Sequence, residues 1–249
     1  MKSQLDTLRH GRKNLTNQVA LVTGATRGIG LAIASALAAE GCNLILAGRD
    51  EKALRRVSRE LAPAKIKIHA QPCDLRDPQS IDDLFRSIRQ KFHRLDILIN
   101  NAGIAHANFT IDKLPLPLWK DVIDTNLTGM FLMTQAALAL MKRGGTIVNN
   151  LSIVANRIFA GSAAYAASKH GALGFTNTLR EELAPKGIRV IAILPGATDT
   201  AIWNTFWPQA PRKKMMSPAT VAAAVVNAIL LPPNATVETL QILPTIGIL

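Results

Sequence analysis

From residue 18 onward, two apolar rhythms alternate along the chain. Short, nearly continuous apolar runs at 19–22, 43–47, 66–71, 96–99, 145–149, 189–194 and 240–243 have the length and branched content of strands buried on both faces. Between them, longer stretches at 31–39, 51–61, 78–91, 119–141, 163–184 and 219–230 predict helices, with Gly41 ending the first and Pro78 opening the third. This strict alternation predicts an α/β fold with a mainly parallel sheet and helices on both faces. A chain of 249 residues that is 48% hydrophobic can bury one full core, so 18–249 is expected to form a single domain. Residues 1–17 carry no periodicity and are expected to form an arm.

The first strand runs into Thr23-Gly24-Ala25-Thr26-Arg27-Gly28-Ile29-Gly30. Gly24 can take a backbone angle closed to residues with a Cβ, while Gly28 and Gly30 allow a ligand and the neighbouring strand to approach closely. Unpaired N–H groups at the following helix start, with the helix dipole, make a seat for a pyrophosphate. Three glycines in a strand-to-helix turn can equally be a tight corner. The second strand ends in Gly48-Arg49, with no carboxylate at Gly48; Arg27 and Arg49 can grip a ribose 2′-phosphate, which favours NADP over NAD. In the other reading Arg49 is an ordinary exposed arginine and Asp50 does the recognising.

Further stations lie where strands end. Asp74 is placed to accept from an adenine amino group, or else caps the next helix with Asp77. Asn100-Asn101-Ala102-Gly103 lets backbone and amides approach a ribose or nicotinamide while tying strands together. Asn126, within the long predicted helix, needs hydrogen-bond partners whether its role is structural or functional. Ser152 follows the fifth strand, and Tyr165 and Lys169 stand one helical turn apart on one face. A phenol with an ordinary pKa of about 10 becomes a usable acid or base when an adjacent ammonium favours its anion. Such a pair is also common as a surface contact.

After Pro195-Gly196-Ala197-Thr198-Asp199-Thr200 comes an irregular stretch, 199–217, placed to act as a substrate lid. Its Trp203, Phe206 and Trp207, with Phe159, form either an apolar pocket wall or packed core, and Arg212-Lys213-Lys214 either meet an acidic substrate or face solvent.

The net charge of +12 raises a nucleic-acid partner, but the cations are scattered, with local clusters at 9–13, 55–59 and 212–214, and aromatic residues make up only 4%. A polyanionic cofactor would also profit from the positive field. No apolar run reaches the roughly 20 residues of a membrane span. The polar start does not resemble a signal sequence, so a cytoplasmic location is expected, with no membrane and no nucleic-acid partner. Cys42 and Cys73 have no metal-ligand spacing with the five histidines and are expected to be buried apolar side chains, leaving no metal site.

Together, Thr23-Gly24-x-x-x-Gly28-x-Gly30, Asp74, Asn100-Asn101-Ala102-Gly103, Asn126, Ser152, Tyr165-x-x-x-Lys169 and Pro195-Gly196 resemble the short-chain dehydrogenase/reductase family over the chain from Gln18. The resemblance implies a Rossmann-type fold with a seven-stranded sheet and an NADP(H)-dependent oxidoreductase interconverting ketones or aldehydes with secondary alcohols. It implies a catalytic tetrad of Asn126, Ser152, Tyr165 and Lys169. In it the Tyr moves the proton, the Ser steadies the carbonyl oxygen, the Lys lowers the Tyr pKa and holds the nicotinamide ribose, and the Asn supports a proton-relay water. It further implies that Thr26 and 27–29 hold phosphate, that Asp74 and Leu75 contact adenine, and that Asn101, Ala102, Gly103, Pro195, Gly196, Thr198 and Thr200 frame the ribose and carboxamide. The chain departs from the family at Thr198, usually hydrophobic, and at Leu151, where a second Ser is common. Its tail lacks the Asp-Gly-Gly frequent in tetrameric members; a homodimer or homotetramer, with 119–141 and 163–184 as the dimer surface, is what the resemblance implies. The rival reading is a nucleotide sensor or scaffold that keeps the dinucleotide site without turnover.

Overall fold

The computed structural model describes residues 14–248. Among these, β1 (Val19–Thr23), β2 (Asn43–Gly48), β3 (Ile68–Pro72), β4 (Ile97–Asn100), β5 (Thr146–Asn150), β6 (Arg189–Pro195) and β7 (Thr239–Ile242) form one sheet. Its order is β3-β2-β1-β4-β5-β6-β7, and every pairing is parallel. The connecting helices are α1 (Gly28–Ala39), α2 (Glu51–Leu61), α3 (Pro78–Lys91), α4 (Leu116–Ile123), α5 (Gly129–Leu138), α6 (Ala163–Leu183), α7 (Trp203–Phe206) and α8 (Pro218–Ile229).

The pleat divides the core in two. Ala20 and Val22 of β1 join Leu44, Leu46, Ile97 and Ile99 under α1, α2 and α8. Val19 and Leu21 join Ile45, Leu98 and Ile147 under α3, α5 and α6. Because helices cover both faces, all of β1 is buried, which is why the strand reads as an unbroken apolar run and not as an alternation. Chain order reverses between β1 and β4, and at that point a crevice opens along the carboxyl ends of the strands.

Three expectations change. The helix expected over 119–141 is α4 and α5 joined by a π-helical turn, Asp124–Thr128, that carries Asn126. It starts three residues earlier because Pro117 falls in the first turn, where a missing N–H costs nothing, and it closes at Leu138, with Leu140 and Met141 N–H both bonding back to Ala137 O. The arm expected at 1–17 falls largely outside the described residues, as does the 9–13 cluster. Its end is docked: Leu15 is buried in the core, and its carbonyl accepts from Cys42 Sγ at 3.4 Å. The stretch 199–217 is not irregular throughout. It contains α7 and a 3₁₀ turn, Arg212–Lys214, and it is closed at its base by a bridge between Thr198 and Met216.

Both cysteines are buried, and burial pushes the Cys73 thiol up to about 11. No helix among the described residues is long and apolar enough to cross a membrane, and no group of three or more His, Cys, Asp and Glu gathers there as a metal site would.

Candidate active site

A cleft of about 1070 Å³ follows the carboxyl edge of the sheet. Its wall brings together most of the sequence-predicted residues: Gly24, Thr26, Arg27, Gly28, Ile29, Arg49, Asp74, Leu75, Asn101, Ala102, Gly103, Ser152, Tyr165, Lys169, Pro195, Gly196, Thr198 and Thr200. Gly30 and Asn126 stand one layer behind it. A Cβ on Gly30 would overlap Gly24 O and Asn101 Nδ2, so this glycine serves the close packing of helix start on strand and not the ligand surface.

The glycine turn leaves the start of α1 open. Gly24 has φ +63°, and the N-cap residue Arg27 offers no capping side chain, nor is there an acid in the first helical turn. The leading N–H groups therefore face the cleft with the positive end of the helix dipole behind them. Arg27 and Arg49 form no ion pair among the described residues. Asp50 Oδ1 accepts from Ala53 N at 3.0 Å and caps α2, while the Arg49 charge helps to hold Asp74 ionised across the cleft lining. Arg56, which the sequence reading passed over as part of a basic run, also lines the cleft; its Nη2 is 3.5 Å from Thr26 O. Its only mark in the sequence is its place in the basic cluster at 55–59.

Asp74 does not share the helix cap; Asp77 alone caps α3, through Gln79 N at 3.0 Å. Asp74 is instead gripped by Arg76, whose Nη2 reaches Oδ2 at 2.8 Å and whose Nη1 continues to Asp121 at 2.9 Å. That guanidinium holds the Asp74 carboxyl below the usual carboxylate range.

At the other end, α6 presents Tyr165 and Lys169 to the cleft. The helix starts at Ser162, whose hydroxyl is spent on Phe159 O at 2.6 Å and gives no cap. Buried His106 supplies it: Nε2 accepts from Tyr165 N at 3.4 Å while Nδ1 donates to Ala107 O at 2.7 Å. Nothing in the sequence marks His106, because the pairing spans 59 positions. Ser152 Oγ is steadied by Val154 N at 3.2 Å and stands near enough to the Tyr165 hydroxyl to favour its ionised form.

The expected electrical priming of the phenol differs from what the geometry gives. Burial pushes Tyr165 up to about 12, with Ser152 pulling the other way, and burial brings Lys169 down to about 8. Lys169 Nζ lies 5.5 Å from the centre of the Tyr165 ring and donates to Asn150 O at 3.1 Å. Desolvation thus dominates both groups, which keeps the phenol protonated at neutral pH.

Asn126 uses its amide as a clamp. Its Oδ1 accepts from Ile104 N at 2.8 Å, and its Nδ2 donates to Ile104 O at 2.9 Å and to Ser168 Oγ at 3.1 Å. The π turn directs it there, fastening the segment after Gly103 to α6. Asn150, also missed, lines the cleft and donates to Asn101 Oδ1 at 2.9 Å; its own Oδ1 is buried without a partner.

The lid aromatics Trp203, Phe206 and Trp207 and the wall residue Phe159 line the cleft and so are not interior packing. Arg212, Lys213 and Lys214 do not line it. Arg212 instead binds the lid to itself: Nη1 reaches Asp199 Oδ1 at 2.9 Å and Thr200 O at 2.6 Å, and Nη2 reaches Asn204 Oδ1 at 2.7 Å.

Known proteins carry the same pattern. The short chain dehydrogenase family matches residues 18–211. A provisionally named ketoacyl reductase of Streptomyces coelicolor is 37% identical over 254 aligned positions, covering 93% of this chain and 96% of that protein. A short chain dehydrogenase from Burkholderia cenocepacia, solved in complex with NADP, superposes with a TM-score of 0.85 at 30% identity over 92% of this chain and 98% of its own. A 3-ketoacyl-(acyl-carrier-protein) reductase from Brucella melitensis, complexed with NADH, gives 0.84 at 28% identity over 93% and 98%. The parallel sheet with its crevice, the open glycine turn and the Ser-Tyr-Lys cluster at one cleft, matched over this length, make the chain a member of the short-chain dehydrogenase family.

Proposed function

We propose that this protein is an NADP(H)-dependent oxidoreductase that interconverts a ketone or aldehyde with its alcohol. The observation that carries the reading is one cleft with two matched ends: uncapped helix N–H groups beside Arg27 and Arg49, and the paired hydroxyls of Ser152 and Tyr165. Relatives of the same fold hold NADP or NADH, so the choice must come from this chain's residues. Asp50 spends Oδ1 on capping α2, while Arg49, Arg27 and Arg56 line the same end of the cleft and match a 2′-phosphate.

Bound here, the dinucleotide would lie with its pyrophosphate on Gly24, Thr26, Gly28 and Ile29, its adenine toward Asp74 and Leu75, and its nicotinamide ribose toward Asn101, Tyr165 and Lys169. Pro195, Gly196, Thr198 and Thr200 would frame the carboxamide. A nicotinamide held there would supply the hydride for the carbonyl carbon. Tyr165 gives its phenolic proton to the carbonyl oxygen, a role for which its raised pKa keeps it charged with a proton at neutral pH. Ser152 donates a hydrogen bond where negative charge develops on that oxygen. Lys169, held by Asn150 O, supplies positive charge beside the phenol and donors toward the ribose. Asn126 fixes the distance between the 101–104 segment and α6.

The test is Tyr165→Phe, assayed with NADPH and a panel of ketones and aldehydes. Turnover is expected to fall by about 10²–10⁴-fold while NADPH affinity, read by fluorescence quenching, stays near that of the parent. Undiminished turnover would remove Tyr165 as the acid. NADPH binding by the parent protein without turnover across the panel would favour a nucleotide sensor instead.

A further inference from the structure

The cleft's charge is distributed unevenly. The charged residues that line it are Arg27, Arg49, Asp50, Arg56, Asp74 and Lys169. Five of these follow β1, β2 and β3, on one side of the crevice, and Lys169 sits at the reacting centre. Beyond Ser152 and Tyr165, toward α7 and the segment after β5, the lining side chains are uncharged: Ile153, Val154, Phe159, Trp203, Phe206 and Trp207 are apolar, and Asn108 and Thr205 are neutral polar residues. An anionic substrate would meet no counter-charge here, and burying an unpaired carboxylate costs several kcal/mol.

The aromatic part of this wall is already assembled. Trp203 packs edge-on against Phe206 at 5.9 Å and Trp207 at 6.3 Å, and Phe206 approaches the Tyr165 ring to 6.0 Å at a 53° tilt. Trp203 Nε1 donates to Thr198 O at 2.8 Å, and Arg212 ties the α7 residue Asn204 to Asp199 and Thr200. A wall fastened in this way presents flat apolar faces at fixed positions without first paying to order them. At the mouth, Ile158 is 88% and Trp207 40% exposed, apolar surface of the kind that marks a binding region.

We infer that the carbonyl substrate is an uncharged, apolar, ring-bearing ketone, which lies against Phe206 and Trp207 with its C=O turned to Tyr165 and Ser152. This rests on the oxidoreductase reading and adds the substrate class to it. Phe206 becomes the residue that sets specificity, since its ring borders the proton donor. In the reaction, hydride from NADPH forms the new C–H bond as the C=O π pair moves to oxygen, and the oxygen takes the Tyr165 proton. Solvent returns a proton to the phenolate, and NADP⁺ leaves.

The experiment measures NADPH affinity by fluorescence titration, then kcat/KM for three ketones: 1-tetralone, the same bicycle bearing a carboxylate, and 2-butanone. Tetralone is expected to exceed butanone by at least about 100-fold and its carboxylated analogue by at least about tenfold, in line with the worth of buried ring area and the cost of an unpaired charge. In Phe206→Ala, and separately in the more exposed Trp207→Ala, the tetralone-to-butanone ratio should fall by about tenfold, chiefly through KM, with NADPH affinity retained. If NADPH binds and butanone or the carboxylate is preferred, or the ratio is unmoved in both variants, the substrate class is overturned while the oxidoreductase reading stands. If NADPH does not bind, or no carbonyl compound is reduced, the underlying reading fails and takes the inference with it.

Discussion

Lys169 is expected to cost the protein stability, and Lys169→Met tests this directly. The side chain is 4% exposed, and its ammonium has one hydrogen bond, to Asn150 O at 3.1 Å. Burial brings its pKa from 10.5 to about 8, which at neutral pH corresponds to about 3 kcal/mol of penalty on the charged form in the folded state. Methionine keeps the length and packs as an apolar chain; the variant sheds that penalty and gives up one charge-assisted hydrogen bond worth about 1.5–3 kcal/mol. The balance favours the variant by about 1 kcal/mol, or about 2–4 °C in the melting temperature of a chain this size. The pH dependence carries a sign. Below about 8 both states hold the proton and the wild type bears the full penalty. As pH rises from about 8 toward 10.5 the folded lysine releases its proton first, the wild type gains stability, and the variant's advantage shrinks. Cofactor-free melts of both proteins at pH 7 and at about pH 9.5 read this out, and NADPH-dependent turnover should be lost in the variant at both. A melting temperature several degrees below the parent's at pH 7 would show that the ammonium stabilises the fold and would refute the reasoning.

Arg49→Asp places a carboxylate where the guanidinium stands and should shift the NADPH-to-NADH ratio of kcat/KM by at least about tenfold toward NADH, a change of about 1.4 kcal/mol; an unmoved ratio would discard the 2′-phosphate assignment. Gly30→Ala drives a methyl into Gly24 O and Asn101 Nδ2, so chemical denaturation should show a loss of about 1–3 kcal/mol together with weaker NADPH binding, and wild-type values for both would contradict the packing. With Tyr165 at about 12, alcohol oxidation should climb about tenfold per pH unit through neutrality while ketone reduction stays level below about pH 8; oxidation that is flat over that range would assign the base to a group other than Tyr165.

The fold was legible where local pattern and long-range packing agree. Strands buried on both faces read as unbroken apolar runs, and β1, β2 and β6 match the runs at 19–22, 43–47 and 189–194 to within a residue or two. The start of α1 was misplaced to Leu31 because Gly28-Ile29-Gly30 carries poor helix formers, yet the sheet above it makes that turn the first of the helix. The π turn at Asp124–Thr128 was not legible, since no single-residue propensity marks it. Within it the Asn126 amide reaches Ile104 and Ser168, partners 22 and 42 positions away. Most residues that line the cleft were found by spacing, Arg56 and Asn150 excepted; of those behind it, Gly30 and Asn126 carried a signal and others did not. His106 and Arg212 look ordinary in the sequence, and only the folded chain puts one at the head of α6 and the other across the lid.

The buried amides join these two classes. Asn101 Nδ2 donates to Thr23 O at 2.9 Å and Gly24 O at 3.3 Å, which fixes its orientation and leaves Oδ1 facing Asn150 Nδ2 at 2.9 Å. Asn150 is oriented in turn, and its backbone carbonyl receives Lys169 Nζ. An unbroken line of hydrogen bonds therefore runs from the glycine turn, across the ends of β4 and β5, to the ammonium on α6. The Asn100 and Asn101 amide donors are likewise committed to protein, so of the two roles that the sequence offers this pair, ligand contact and strand tie, these bonds make the second. Two acceptors of these amides, Asn100 Oδ1 and Asn150 Oδ1, are buried without a partner; the second stands at the cleft wall, and an unmatched acceptor in such a position costs about 1–3 kcal/mol unless something donates to it. Because the tie is shared, the phosphate-binding turn and the ammonium beside the phenol cannot shift independently, and a single polar network sets the distance between the two ends of the cleft.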